Sequence, residues 1–504
     1  MGDLTNGRRR FLRGAGVALV GFVLLVSRPI FHLSRVVLYD VDDRTPFADG
    51  TAHDASRLDV VPVKQTWDIP KDPEDAERQV QALLQRAAVE KIPVSIGGAR
   101  HSMGGHTIAR DGIVINMLPF RRIELDEARE IVHVGAGARW FELLEVLNAR
   151  GRSVAIMQSN NDFSVGGSIS VNCHGWQCRK APIASSVESF RIVLSDGRIL
   201  RCSRIENPEL FSLALGGYGL FGIILDVELR IVPNERYRSS RYVMLPSNYS
   251  ETLEREVRRN PDIGMAYGRL SIAPESFLEE ATLQVFHRAP AARPLVSDIR
   301  FPDSPALTRA FVRGEAGSDY GKSLRWRVEQ SLLPWISPAA VDRNQLLSQP
   351  ATVFENRSAA TTDILHEYFV PPAGFASFVG DLRRTVLSHH GDLLNVTIRD
   401  LEEDKDTFLR YADRDMLALV LYFTQPRTAE GDAAMEAMTR ELIDAAHRAG
   451  GRYYLPYRLH ATPDQFRQAY PQAERFFELK RKYDPNEIFR NEFYEKYGRL
   501  KRLN

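Results

Sequence analysis

Apolar positions along this chain fall into two spacings, and they change places several times. Val80, Leu83, Leu84 and Ala87 recur at helical intervals behind Asp72-Pro73-Glu74-Asp75. Asp can cap such a helix and Pro suits its first turn, so a helix is predicted there. Residues 92–96 then read as a strand, as do 113–117 and 131–134. Trp140, Leu143, Leu144 and Leu147 give a short amphipathic helix that Gly151 ends. Strands follow at 187–194, 198–202 and 222–232, the first two joined by the turn pair Asp196-Gly197. Around Pro233 the texture changes, and residues 290–350 have weak periodicity, which predicts an irregular insertion. Beyond it the pattern clears: strand 364–370, helix 375–387, strands 393–399 and 417–423, helix 433–449, strand 452–455. That βαββαβ order is the ferredoxin-like arrangement. A last helix is predicted at 465–482, and no internal repeat is found.

Two stretches fit neither spacing. The strand at 92–96 runs into Gly97-Gly98-Ala99-Arg100-His101-Ser102-Met103-Gly104-Gly105-His106. Glycines let a backbone turn tightly and approach a ligand, and the N–H groups freed by such a turn can hold phosphate. Residues 157–175 are rich in small and hydrogen-bonding side chains, unlike a plain core strand. Gly217 to Gly222 spells Gly-x-Gly-x-x-Gly, but a β-branched run follows it where a dinucleotide fingerprint needs a helix, so the motif is discounted. No Walker loop is present.

Composition narrows the classes. A chain of 504 residues suggests two domains. A formal net charge of +1 lacks the basic excess of a nucleic-acid binder. Three cysteines are too few for a disulfide framework, and Cys173 and Cys178 lack a second pair at zinc spacing, so no metal site is expected. The N-terminus changes the picture more. Arg8-Arg9-Arg10-Phe11-Leu12-Arg13 precedes the apolar run 14–26, the form of an export signal, and the paired arginines resemble a twin-arginine signal. With no clear cleavage site, retention at the membrane through residues 1–38 is expected. The predicted place is the bacterial inner membrane facing the periplasm, or the periplasm if the signal is cleaved.

Together these motifs resemble the flavoproteins of the vanillyl-alcohol oxidase / p-cresol methylhydroxylase family. Gly98-Ala99-Arg100-His101-Ser102 stands where the family has Gly-x-Gly-His-Ser, with Arg100 replacing a glycine. Gly166-Gly167-Ser168-Ile169 with His174-Gly175 matches the second loop, and Gly219-Leu220-Phe221-Gly222-Ile223-Ile224 the third. The C-terminal half is similar to sugar-lactone and alditol oxidases in Glu367-Tyr368-Phe369-Val370-Pro371 and Asp484-Pro485, though their Glu-x-Arg is here Thr397-Ile398-Arg399.

The resemblance implies an α+β fold: a two-part FAD-binding domain at 56–235, a ferredoxin-like substrate domain at 236–460, and a segment 461–504 returning to the first domain. It implies FAD, bonded covalently through His101, with His106 as the rival. Gly98, Arg100, Ser102, Gly104, Ser164, Gly166, Gly167 and Ser168 would hold the pyrophosphate, and His174, Gly175, Gly222 and Ile224 would complete the site. Arg399 would stabilise negative charge, and His460 would take a hydroxyl proton as hydride leaves for the flavin, with Tyr457 and Glu367 as lesser candidates. Cys173 is expected to be a packing residue near the flavin. The implied activity is oxidation of a CH–OH group in a sugar-like, aldonolactone or alditol substrate, with oxygen or a membrane carrier as electron acceptor. A polyprenyl-phosphosugar dehydrogenase similar to decaprenylphosphoryl-ribose oxidase, acting on a lipid-linked alcohol, and a non-catalytic flavin-fold binding protein are the alternatives.

Overall fold

The computed structural model of the chain describes residues 27–299, 305–332 and 339–500. The basic and apolar run read as a signal or anchor lies mostly outside the described residues. Among those described, no helix is long and apolar enough to cross a membrane.

The N-terminal half begins with a two-stranded ladder, β1 (Thr51–His53) on β2 (Val60–Pro62). A three-stranded parallel sheet follows, with β3 (Gln65–Asp68), β4 (Val94–Gly97) and β5 (Ile113–Asn116) in the order β3-β5-β4. Parallel neighbours need a crossover, and helix Pro73–Glu90 supplies it. Asp72 caps that helix by accepting the Asp75 N–H, and Val80, Leu83, Leu84 and Ala87 are buried along it. Burial of each leucine or valine contributes roughly 1.5–3 kcal/mol.

A second sheet holds β6 (Ile123–Asp126), β7 (Ile131–Gly135), β8 (Arg152–Val154), β9 (Val187–Val193), β10 (Ile199–Ser203) and β11 (Ile223–Pro233). Its order is β10-β9-β11-β7-β6, with β8 also on β11.

The C-terminal half is built on an antiparallel sheet of eight strands. These are β12 (Arg236–Met244), β13 (Ile263–Leu270), β14 (Ala281–Ala289), β15 (Val341–Asp342), β16 (Thr361–Val370), β17 (Asp392–Leu401), β18 (Met416–Pro426) and β19 (Arg452–Tyr453). They run β15-β12-β14-β13-β17-β18-β16-β19. Helix Phe375–Ser388 follows β16 and helix Ala429–Arg448 follows β18, burying Phe378, Leu382, Met438 and Leu442 among others. The other face carries Arg241, Arg269, Gln284, Thr397, Arg399 and Glu367 and lines a large cavity.

Two segments differ from the sequence reading. The stretch 290–350 contains helices Pro305–Arg313 and Asp319–Arg327. Its hydropathy pattern is weak because charged residues take inward positions: Arg325 and Lys322 are buried in ion pairs with Glu315 and Asp392. The single helix predicted at 465–482 is two, Pro463–Ala469 and Ala473–Tyr483. Pro471 lies at the break, lacking a backbone donor and disfavouring helix in the residue before it.

The C-terminal strand-like segment locks onto the first half. Val94 donates its N–H to Ile488 (2.7 Å) and accepts from Arg490 (2.9 Å). Asn491 Nδ2 donates to the carbonyls of His106 (2.9 Å) and Tyr218 (2.8 Å).

Candidate active site

The two unusual stretches meet. A Cβ on Gly98 would stand 2.0 Å from Ser164 Oγ, so any larger residue would have to displace that hydroxyl. The Ala99 N–H donates to that same Ser164 oxygen (3.2 Å). Arg100 takes φ +56°, the left-handed region that a glycine adopts without steric cost. The departure from the family pattern therefore keeps the turn and adds a guanidinium, which lines the cavity. Ser102 Oγ is buried with no hydrogen-bond partner.

His101 lies on the cavity wall with its ring stacked on Phe163, centroids 4.0 Å apart and planes at 21°. Burial pushes it down to about 4, against the pull of Asp162, so its imidazole is neutral at pH 7. His106 is pressed between Tyr218 and Phe493, with ring centroids at 5.4 and 5.7 Å. Burial pushes it down to about 3.

Ser164 precedes the short helix Val165–Ser170, which carries Gly166 and Gly167 at the cavity. A Cβ on Gly166 would meet that of Ala136 at 2.7 Å. The Ser168 hydroxyl is engaged: it accepts from Trp140 Nε1 (2.8 Å) and donates to Gln158 Oε1 (3.0 Å). Gly222, at φ +153°, and Ile224 line the far side. Gly104 and Gly175 do not line the cavity; they let the chain close up behind its wall. A Cβ on Gly104 would stand 2.3 Å from the Tyr457 carbonyl oxygen, and one on Gly175 2.0 Å from that of Met157. The discounted Gly-x-Gly-x-x-Gly follows helix Pro208–Ala214 and enters β11, so no helix opens after it.

A charged group joins the second loop to the sheet, with Glu367 on β16 and Arg399 on β17. His174 Nε2 lies 2.6 Å from Glu367 Oε1, and both side chains are 2% exposed. Tyr457 donates its hydroxyl to Glu367 Oε2 (3.2 Å). Arg399 donates from Nη1 to the His174 carbonyl (3.0 Å) and from Nη2 to Ser159 Oγ (3.1 Å), while its buried Nε has no partner. All four residues line the cavity. Burial alone raises Glu367, but His174, Arg399 and the Tyr457 hydroxyl outweigh it and hold the carboxyl below its ordinary value. Burial lowers His174 further than Glu367 raises it, so the ring is neutral and keeps a lone pair. Both ring nitrogens of His174 are buried and neither makes a hydrogen bond of good geometry, Nε2 meeting Glu367 only as the close charged contact above. Burial pushes the Cys173 thiol up to about 12, so it is neither a thiolate nor a nucleophile at neutral pH.

His460, expected to be the proton acceptor, does not line this cavity. Its Nδ1 meets Thr439 Oγ1 (2.9 Å) and its Nε2 Asp432 Oδ1 (3.4 Å), under helix Ala429–Arg448. The turn after β19 sends Tyr457 into the cavity, and the backbone then leaves with His460 on its other side. The acids following Arg399 do not claim it, since Asp400 is held by Arg258 (2.6 Å) and by the Arg179 N–H (3.0 Å). The His174–Glu367 contact itself was not read from the sequence. Its signal was a lone carboxylate within the mostly apolar strand around 364–370.

The cavity measures about 1920 Å³. Ordinary small-molecule pockets measure roughly 300–1,000 Å³, so a dinucleotide and a second molecule both fit. A glycine cradle with no room for Cβ, an unpartnered buried hydroxyl at Ser102 and the guanidinium of Arg100 suit a pyrophosphate.

Residues 73–203 match the family described as an FAD-binding domain. Cytokinin dehydrogenase 2 of Arabidopsis thaliana is 28% identical over 226 residues, 44% of each chain. A putative D-arabinono-1,4-lactone oxidase of Neurospora crassa is 30% identical over 201 residues, 38% of this chain and 34% of that one. Cytokinin dehydrogenase 2 of Oryza sativa is 24% identical over 471 residues, 81% of this chain and 82% of that one. The match thus spans less than half the length of the first two relatives.

Proposed function

We propose, from the premise that this chain is an FAD-linked oxidoreductase of the p-cresol methylhydroxylase type, that it oxidises a CH–OH group of a sugar-like, lactone or lipid-linked alcohol. The loops of the N-terminal half would hold FAD, and the eight-stranded half would act as the ferredoxin-like cap over the substrate. Bound FAD supplies a hydride acceptor. The observation that carries the reading is the convergence on the cavity of His174, from the second of those loops, with Glu367, Tyr457 and Arg399 from the C-terminal half.

These residues can divide the work of taking a proton from a hydroxyl. The Glu367 carboxylate beside Nε2 favours the tautomer of His174 that bears hydrogen there, which would leave Nδ1 as acceptor. The ring is neutral at pH 7, the state a general base needs. As the ring gains a proton, the adjacent carboxylate stabilises the imidazolium. Tyr457 is held by Glu367 so that its hydroxyl oxygen can receive a substrate hydrogen bond. Its own ionisation is suppressed by burial. Arg399, with an unpartnered Nε, gives a fixed positive charge where negative charge develops. His101, neutral and stacked on Phe163, is assigned to the covalent flavin link.

A lipid-linked alcohol is kept as a second reading because Leu33, Phe311, Val312 and Leu332 are part of the cavity lining. The test is a panel of sugar lactones, alditols and lipid-linked alcohols, monitored anaerobically by flavin bleaching, with reoxidation by air or by a quinone identifying the acceptor. Purified protein without flavin absorption would sink the proposal. Holoprotein bleached by no alcohol on the panel would sink the activity.

A further inference from the structure

The helix described at 27–39 is seated on one face and apolar on the other. Half-buried positions 29, 32, 33, 36 and 40 recur at helical spacing and face the protein. His32 Nε2 meets the Gly314 carbonyl (3.0 Å), Arg309 Nη2 donates to Asp40 Oδ1 (2.8 Å), and Leu33 lines the cavity. Arg28 lies over the Tyr320 ring at 4.0 Å. These contacts span the length of the described helix and its exit, so its outward face is a fixed surface.

That outward face breaks the usual rule for a helix against water. Ile30 is 60% exposed, Phe31 71%, Leu38 73% and Tyr39 76%, with Val37 and Val41 beside them. Isolated exposed hydrophobics are ordinary, but a contiguous patch marks a contact surface. Residues 27–39 hold two arginines, Arg28 and Arg35, and no acidic residue. The chain enters this helix directly from the apolar run 14–26, itself preceded by four arginines at 8–13. Apolar side chains beside cations, continuous with a basic and apolar leader, match the chemistry of an anionic bilayer surface.

We infer that the helix at 27–39 lies in the headgroup layer of an anionic membrane with Phe31 and Leu38 inserted, so that the cavity end lined by Leu33 is held at the membrane surface. This placement stands apart from the choice of substrate and would hold for any reaction in the cavity.

The chain allows a clean test, because its cysteines Cys173, Cys178 and Cys202 are all buried. Leu38→Cys and Phe31→Cys in the full chain would take an environment-sensitive fluorophore at one exposed position each. Val89→Cys, at a site 83% exposed on helix Pro73–Glu90, serves as the control. With vesicles of phosphatidylcholine and phosphatidylglycerol, the labels at 31 and 38 are expected to shift to the blue and lose most of their quenching by aqueous iodide. The label at 89 should do neither. Labels at 31 and 38 that keep aqueous emission on vesicle-bound protein would overturn the inference, even if residues 1–26 tether the chain. A blue shift that appears without vesicles and grows with protein concentration would overturn it too, assigning the face to a second copy of the chain.

Discussion

Replacing Glu367 by Gln keeps the shape of the buried side chain and removes its charge. Glu367 Oε1 lies 2.6 Å from His174 Nε2, and an imidazolium at that distance gains about 6 kcal/mol of attraction at an effective dielectric near 20. That is the upper bound on what the carboxylate adds to the proton affinity of His174. Complete loss of a general base costs about 10²–10⁴ in rate, or roughly 3–5 kcal/mol, which lies within the bound and sets the ceiling for a variant that keeps His174. The expected result is a fall of up to that size in the rate of anaerobic flavin bleaching, with flavin content unchanged. The pH profile should move as well. In the wild type the rate rises as His174 loses its proton and levels off below the ordinary histidine value of about 6.5, because burial depresses this ring. Removing the carboxylate depresses it further, so the rising limb of Glu367→Gln should lie at lower pH. A variant with full flavin content, an unchanged bleaching rate and an unmoved limb would refute the assignment of the pair.

Other consequences are open to measurement. His101→Ala should leave a protein that releases its flavin on denaturation, read as the loss of flavin fluorescence from the denatured gel band. Gly98→Ala places a Cβ 2.0 Å from Ser164 Oγ and should lower FAD occupancy; adding Ser164→Ala removes the clashing oxygen and should recover part of it, read by the ratio of flavin to protein absorbance. Asp54, raised from 3.8 to about 6 by burial and by Asp59, holds its proton in the folded chain after the unfolded chain has lost it. Stability should therefore fall by roughly 3 kcal/mol as pH rises from about 4 to 6, and Asp54→Asn should flatten that slope in denaturant titrations. Lys480 and Asp484 form an ion pair with both side chains 0% exposed, and Asp484 also accepts the N–H groups of Ile488 and Phe489. Asp484→Ala should cost about 3–5 kcal/mol in thermal or chemical unfolding by stranding the lysine.

Much of the local structure was legible in the chain itself, because it depends on spacing and on backbone freedom. Helix Pro73–Glu90 carries its own cap and apolar stripe, and the alternation within β17 follows from its side-chain pattern. The glycine loops announced a close approach of backbone to something, and the structure puts Ser164 Oγ where a Cβ on Gly98 would stand. Even the misfit at Arg100 kept its meaning, for an arginine at φ +56° preserves the turn.

What the chain order could not carry is which side of each element faces the cavity. Alternation along β16 separates Glu367 from His366 and Tyr368, yet nothing local says which parity the helices cover. Only packing of Phe375–Ser388 and Ala429–Arg448 on one face leaves Glu367 on the other, within reach of His174 from a loop almost two hundred residues earlier. The same packing takes His460 out of the site, although its residue type and its place near Tyr457 made it the obvious base. Hydrophobic period and glycine placement are one-dimensional signals written in the sequence. The pairing of His174 with Glu367, the seat of Arg399 and the outward apolar face at 27–39 arise from long-range closure, so the tertiary structure alone decides them.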